Sequence, residues 1–212
     1  MRKLIIILTT FFLIISPLNL SKFAIATQEI PTLPGLSCKI SPEKQLELQK
    51  LNWTDQERWV WKQICEGKEA DLNEYIKSKY PKFNNNNFPA ETKEIDDLRI
   101  LTSKFLRTIL LYEPFRSSLT ERGVIISGAW FQEKLDLYSG IFNQNLSLQK
   151  CRFDNSLDLG SIQTKKFISL DGSNIKGGKL YINDAVIGSF LFMRNATFET
   201  DIDLVNIKVN SN

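Results

Sequence analysis

The sequence predicts an α+β protein: a small helical N-terminal domain followed by a right-handed quadrilateral parallel β-helix of about four coils. Three observations carry that prediction. An eleven-residue apolar pattern recurs through eight units between Val124 and Val209. Helix-start signals and helical periodicity fill the stretch before it. The one irregular step in the pattern falls at Gly177 and Gly178, residues suited to an extra turn.

The units begin at Val124, Leu135, Leu146, Leu157, Ile168, Leu180, Leu191 and Ile202. Apolar residues recur two positions later, from Ile126 to Leu204, and seven positions later, as Phe131, Phe142, Phe153 and Phe198. The fifth position is mostly small, as in Ala129, Gly140, Cys151 and Ala185. Positions 0 and 2 make one short strand, and positions 5 and 7 another, because alternate side chains of a strand share a face. A two-residue corner lies between them, and a polar three-residue corner such as Gln132–Glu133–Lys134 follows. Two units then close one four-sided coil, and each coil buries its side chains only against its neighbours. A β-sandwich of ordinary strands leaves the constant period unexplained.

The 212 residues divide into three segments. Residues 1–26 read as a signal peptide, with a basic start at Arg2 and Lys3, an apolar run from Leu4 to Ile15, and the small-x-small site Ala24–Ile25–Ala26. That is the order of a secretory signal, with cleavage after Ala26. The alternative reading is a retained membrane anchor, which the apolar run opposes because it is shorter than the roughly 20 residues that span a bilayer. The expected location is the periplasm or cell surface of a bacterium.

Residues 27–122 form the helical domain. Ser41–Pro42–Glu43 opens a helix to about Leu51. Thr54–Asp55–Gln56–Glu57 is a capping box; its helix runs through Trp61 and Ile64 until Gly67. A third helix is expected from Ala70 to about Lys79. The longest is expected from Thr92 to Tyr112, with Leu98, Leu101, Phe105 and Ile109 on one face and Arg99, Lys104 and Arg107 on the other. Trp53, Trp59 and Trp61 are either a binding platform or the core of this domain, and the core is the commoner use.

Residues 123–212 form the β-helix. The string from Gly123 through Trp130–Phe131 to Leu135–Asp136–Leu137 resembles the start of bacterial pentapeptide-repeat-like β-helix proteins with an eleven-residue half-coil. Segments around Trp61–Asn73 and Phe105–Arg116 resemble the helices that precede such solenoids. The resemblance covers most of the chain after the signal. It implies an exported protein and a fold, not an activity.

Composition narrows the function. The formal net charge is +3, and Arg2, Lys3 and Lys22 lie in the signal segment. The remainder is near neutral, which argues against nucleic acid as a partner. It also argues against the acidic rod that DNA mimicry requires. The chain has no histidine, which removes His-dependent triads and His-ligated zinc. No cofactor or metal is expected, and no pair of residues stands out as catalytic. Gly177–Gly178 lacks the Lys–Ser/Thr pair of a phosphate loop.

Export exposes the three cysteines to oxidation. Cys151 sits in a small inward slot and reads as a buried hydrophobe. Cys38 and Cys65 are the candidate disulfide, a closure of about 3–4 kcal/mol in the chain-entropy model; three reduced thiols are the alternative.

Any function then falls on outward positions or on the last coil. Asp136, Asp158, Tyr181 and Asp203 share one outward column at twice the repeat spacing. They are a candidate ladder for a cation or a sugar, set against the commoner reading of a solvated acidic wall. The open C-terminal coil offers unpaired strand edges to an unknown protein partner or to a second copy. The expected function is a non-enzymatic envelope scaffold or interaction protein. The alternative is a polysaccharide-acting or polysaccharide-binding protein that uses the aspartate ladder.

Overall fold

The computed structural model describes residues 51–82 and 93–210. They belong to one compact unit. The signal segment, the helix expected from Ser41, Cys38 and the Asn84–Pro89 loop lie outside the described residues.

The capping box at Thr54 opens α1 (Asp55–Cys65). The Thr54 hydroxyl accepts the Glu57 amide at 3.3 Å, and the Glu57 carboxylate accepts the Thr54 amide at 2.9 Å. The helix ends where Gly67 takes φ 68°. Ala70 does not begin the next helix. Ala70–Asp71 is a short strand, β1, and Asp71 caps α2 (Leu72–Lys79) by accepting the Asn73 amide at 2.8 Å.

The long helix expected from Thr92 to Tyr112 is broken. It forms α3 (Lys93–Asp97) and α4 (Ser103–Leu111), followed by α5 (Phe115–Ser118). The apolar periodicity is real, but the backbone between the two helices is used elsewhere. Ile100 bridges Trp130 in parallel register. The Leu101 amide donates to the Trp130 carbonyl at 3.2 Å, and the Trp130 amide to the Arg99 carbonyl at 2.8 Å. Thr102 then caps α4 by accepting the Phe105 amide.

Arg99, expected on the solvent side, is only 1% exposed. Its guanidinium donates to Asn73 Oδ1 at 2.8 Å and to the Gly128 carbonyl at 3.2 Å. Burial pulls the guanidinium below the ordinary arginine value, an effect that neighbouring Asp96 opposes.

From Val124 onward the chain is a four-sided parallel solenoid. The first wall stacks β1, β2 (Val124–Ser127), β6 (Leu146–Gln149), β10 (Ile168–Ser169) and β14 (Leu191–Phe192). The second stacks β3 (Trp130–Phe131), β7 (Arg152–Phe153), β11 (Asn174–Ile175) and β15 (Thr197–Phe198). The third stacks β4 (Leu135–Asp136), β8 (Leu157–Asp158), β12 (Leu180–Tyr181) and β16 (Ile202–Asp203). The fourth stacks β5 (Ile141–Phe142), β9 (Gln163–Thr164), β13 (Val186–Ile187) and β17 (Lys208–Val209). Position 0 of each unit pairs with position 0 two units on, as in Val124↔Leu146↔Ile168↔Leu191. The eleven-residue unit is therefore half a coil.

The corner between the two strands of a unit has one conformation in all eight units. Its second residue is left-handed: Gly128, Ser139, Lys150, Ser161, Gly172, Asp184, Asn195 and Asn206, with φ from 50° to 72°. Short polar side chains and glycine tolerate that region best. The longer corner at Gly177–Gly178 runs directly over the coil beneath. A Cβ on Gly177 would overlap the Asp154 carbonyl, and one on Gly178 would overlap Ser156.

The inward columns form a single apolar cluster that runs from Trp61 and Phe105 through Leu135 and Leu157 to Ile187. Phe131 and Phe153 stack at 5.1 Å between centroids, whereas Phe142 lies on the fourth wall. The helices close the first coil edge by edge. On the first wall β1 pairs with β2, and on the second Ile100 pairs with Trp130. On the third, Ser103 Oγ accepts the Asp136 amide and Arg107 donates to the Asp136 carbonyl at 2.6 Å.

Candidate functional site

The structure brings the aspartate ladder together. Asp136, Asp158, Tyr181 and Asp203 are consecutive register partners on the third wall. What each aspartate does there is local. Asp136 accepts the Tyr138 amide at 3.0 Å, Asp158 the Gly160 amide at 3.1 Å, and Asp203 the Val205 amide at 3.2 Å. Each carboxylate thus caps the corner two residues ahead, the ordinary use of aspartate in a turn. On the first wall Ser169 makes the same bond to the Asp171 amide. The aspartates of the column thus serve as acceptors for their corners.

The remaining acceptor capacity meets cations. Lys134 lies 2.8 Å from Asp158 and 3.8 Å from Asp136, and Arg107 lies 3.6 Å from Asp136. The hydrogen bond to Asp158 raises the Lys134 ammonium above its ordinary value. Lys179 sits over the Tyr181 ring at 5.3 Å. No group of three or more Cys, Asp or Glu side chains able to hold a metal occurs among the described residues. The Asp136–Asp158 part of the ladder is thus ion-paired.

A second network covers the neighbouring wall. Trp130 Nε1 donates to Asp154 at 2.8 Å, and the Arg152 guanidinium lies 4.6 Å over the indole while pairing with the same carboxylate. This accounts for an apolar residue at an outward position.

The far end differs from the start. In the first three coils, inward residues such as Leu180, Ile182 and Ile187 are fully buried. Their equivalents in the last described coil, Ile202, Leu204 and Val209, are 39%, 41% and 42% exposed. Inward residues also direct their backbone groups to the following coil, as when the Leu180 and Ile182 amides donate to the Asp201 and Asp203 carbonyls. The corresponding groups of Ile202 and Leu204 face outward along the solenoid axis. Among the described residues, the last coil therefore combines a part-exposed apolar interior with strand edges.

Cys65 is disulfide-bonded, and Cys151 is free and buried. Cys38, its expected partner, lies outside the described residues. Desolvation pushes the Cys151 thiol up to about 12, which suits a packing role. Trp61 is buried, and Trp53 packs against Trp61, Phe105 and Phe115. Trp59, like Trp53, is partly buried against the core, and its ring meets Tyr75. No helix among the described residues is long and apolar enough to cross a membrane.

Compared with known protein families, curated proteins and solved structures, the chain matches none.

Proposed function

We propose that this protein is an exported, non-enzymatic scaffold of the bacterial cell envelope that associates through the last described coil of its solenoid. The observation that carries this reading is the exposure of Ile202, Leu204 and Val209, whose register equivalents one coil earlier are fully buried. Beyond β14, β15, β16 and β17 no further strand pairs among the described residues, and such edges around an apolar interior favour the addition of another strand layer. A second copy is the simplest supplier, because each edge carries both donors and acceptors and a two-fold-related copy offers the same row reversed. The third-wall aspartates need no substrate to explain them, since corner capping and Lys134 account for their placement.

The test is light scattering on the purified chain over a range of concentrations. The native chain should form a concentration-dependent dimer. A Leu204→Arg, Val209→Arg double variant should remain monomeric with an unchanged circular dichroism spectrum. A native chain that stays monomeric throughout, or a double variant that still dimerises, overturns self-association. Turnover of a polysaccharide by the native chain, lost in Asp158→Asn, overturns the non-enzymatic part. N-terminal sequencing of the protein recovered from cell fractions tests export, with Thr27 as the expected first residue.

A further inference from the structure

The outer faces of α1 and α2 share a groove that the solenoid does not use. Asp55, Arg58, Trp59 and Lys62 follow helical spacing, so they present one stripe of α1. Tyr75 and Lys79 present the matching stripe of α2. Together with Ser78 they line a cavity of about 370 Å³, toward the small end of ligand pockets. Its floor is aromatic: Trp59 and Tyr75 meet at 5.3 Å with their rings tilted by 42°. Its walls are cationic. Lys79 leans over Tyr75 at 5.8 Å, and Arg58 and Lys62 rise from the facing helix. None of these three cations is in an ion pair among the described residues. Asp55 is the single carboxylate of the lining.

We propose that this groove binds an acidic saccharide, a pyranose bearing carboxylate or sulfate groups. The part-exposed Trp59 ring, backed by the buried Tyr75, supplies a face for the apolar side of a sugar ring, and the cations supply partners for its anionic substituent. Asp55 accepts from sugar hydroxyls. The Ser78 hydroxyl donates to the Tyr75 carbonyl at 2.6 Å, which leaves its oxygen as a further acceptor. A flat nucleobase fits less well, because rings tilted at 42° make no parallel slot. Trp59 is held by Tyr75, so the platform is formed before ligand arrives and little ordering entropy opposes binding.

The experiment titrates the whole protein with a galacturonate trisaccharide, followed by calorimetry and tryptophan fluorescence. Maltotriose and adenosine monophosphate serve as the neutral and nucleotide comparisons. Saturable binding of the uronate, with none of maltotriose over the same range, is expected. Trp59→Ala should weaken it by at least about tenfold through the lost ring contact. The Arg58→Glu, Lys62→Glu double variant, which keeps both rings, should weaken it by about tenfold or more. Lys134→Gln, outside the groove, should leave it unchanged. The proposal is overturned by absence of uronate binding, by equal binding of maltotriose, by tighter binding of the nucleotide, or by binding that survives both groove variants.

Discussion

The hydroxyl of Thr102 donates to the Glu57 carboxylate at 2.6 Å, across 45 positions of sequence. The same oxygen accepts the Thr102 amide at 3.0 Å, while the other accepts the Thr54 amide at 2.9 Å. One carboxylate, 1% exposed, therefore holds the starts of α1 and α4 together. Hydrogen bonds to a charged group contribute about 1.5–3 kcal/mol each, and a buried donor left unpaired costs a further 1–3 kcal/mol. Glu57→Ala should lower unfolding free energy by about 3 kcal/mol or more. Glu57→Gln keeps one carbonyl acceptor and should lose less. Urea denaturation followed by circular dichroism measures both; equal midpoints for native and Glu57→Ala would refute the link.

Lys150 is the least suited occupant of the eight left-handed corners, at φ 50°. Left-handed backbone costs a side chain other than Gly, Asn or Asp about 1–2 kcal/mol. Glycine relieves that strain but adds entropy to the unfolded chain. Lys150→Gly should therefore stabilise the protein by roughly 0.5–1 kcal/mol, read as a raised melting temperature. Gly128→Ala should do the reverse, since a Cβ there approaches Arg99 Nη1 at 3.1 Å.

Corner capping by Asp158 separates a structural ladder from a binding one. Asparagine keeps an acceptor for the Gly160 amide, and alanine does not. Asp158→Ala should cost about 1 kcal/mol and Asp158→Asn markedly less, as measured by thermal melting. Equal losses would point to the Lys134 pair as the larger contribution.

The two described cysteines should behave oppositely. Cys151 should resist thiol reagents in the native state and react once the chain unfolds. Its folded value near 12 exceeds its ordinary 9.0, so the neutral thiol is the form that folding favours. The associated stability is present below pH 9.0 and is lost as pH rises toward 12. Labelling rates against pH, with Cys151→Ser as control, measure this. Cys65→Ser should lower stability by about 3 kcal/mol through loss of the disulfide. Peptide mapping of the unreduced protein should identify Cys38 as the partner.

Much of the architecture was legible because it is periodic. The inward columns of the solenoid obey one constraint, burial against the coils above and below, and that constraint repeats every half-coil. The capping box at Thr54 was legible because it is local. The break between α3 and α4 was not. Leu98, Leu101 and Phe105 satisfy a continuous helix, and only the competing bonds from Leu101 and Arg99 to Trp130 interrupt it. The burial of Arg99 was equally hidden, since Asn73 and the Gly128 carbonyl reach it from distant positions. The aspartate column was visible as a pattern, but its cause was not. Spacing places Asp136 and Asp158 on one wall, whereas the amides of Tyr138 and Gly160 and the ammonium of Lys134 account for their carboxylates.

The sequence by itself determined the repeat, the four walls and the register, because these follow from which residues must leave water. Tertiary structure alone decided how β1, Ile100, Ser103 and Arg107 close the first coil, how Glu57 joins the starts of α1 and α4, and how Arg99 comes to be buried. Those outcomes depend on hydrogen bonds and contacts between segments tens of residues apart, and no local pattern encodes a partner at that distance.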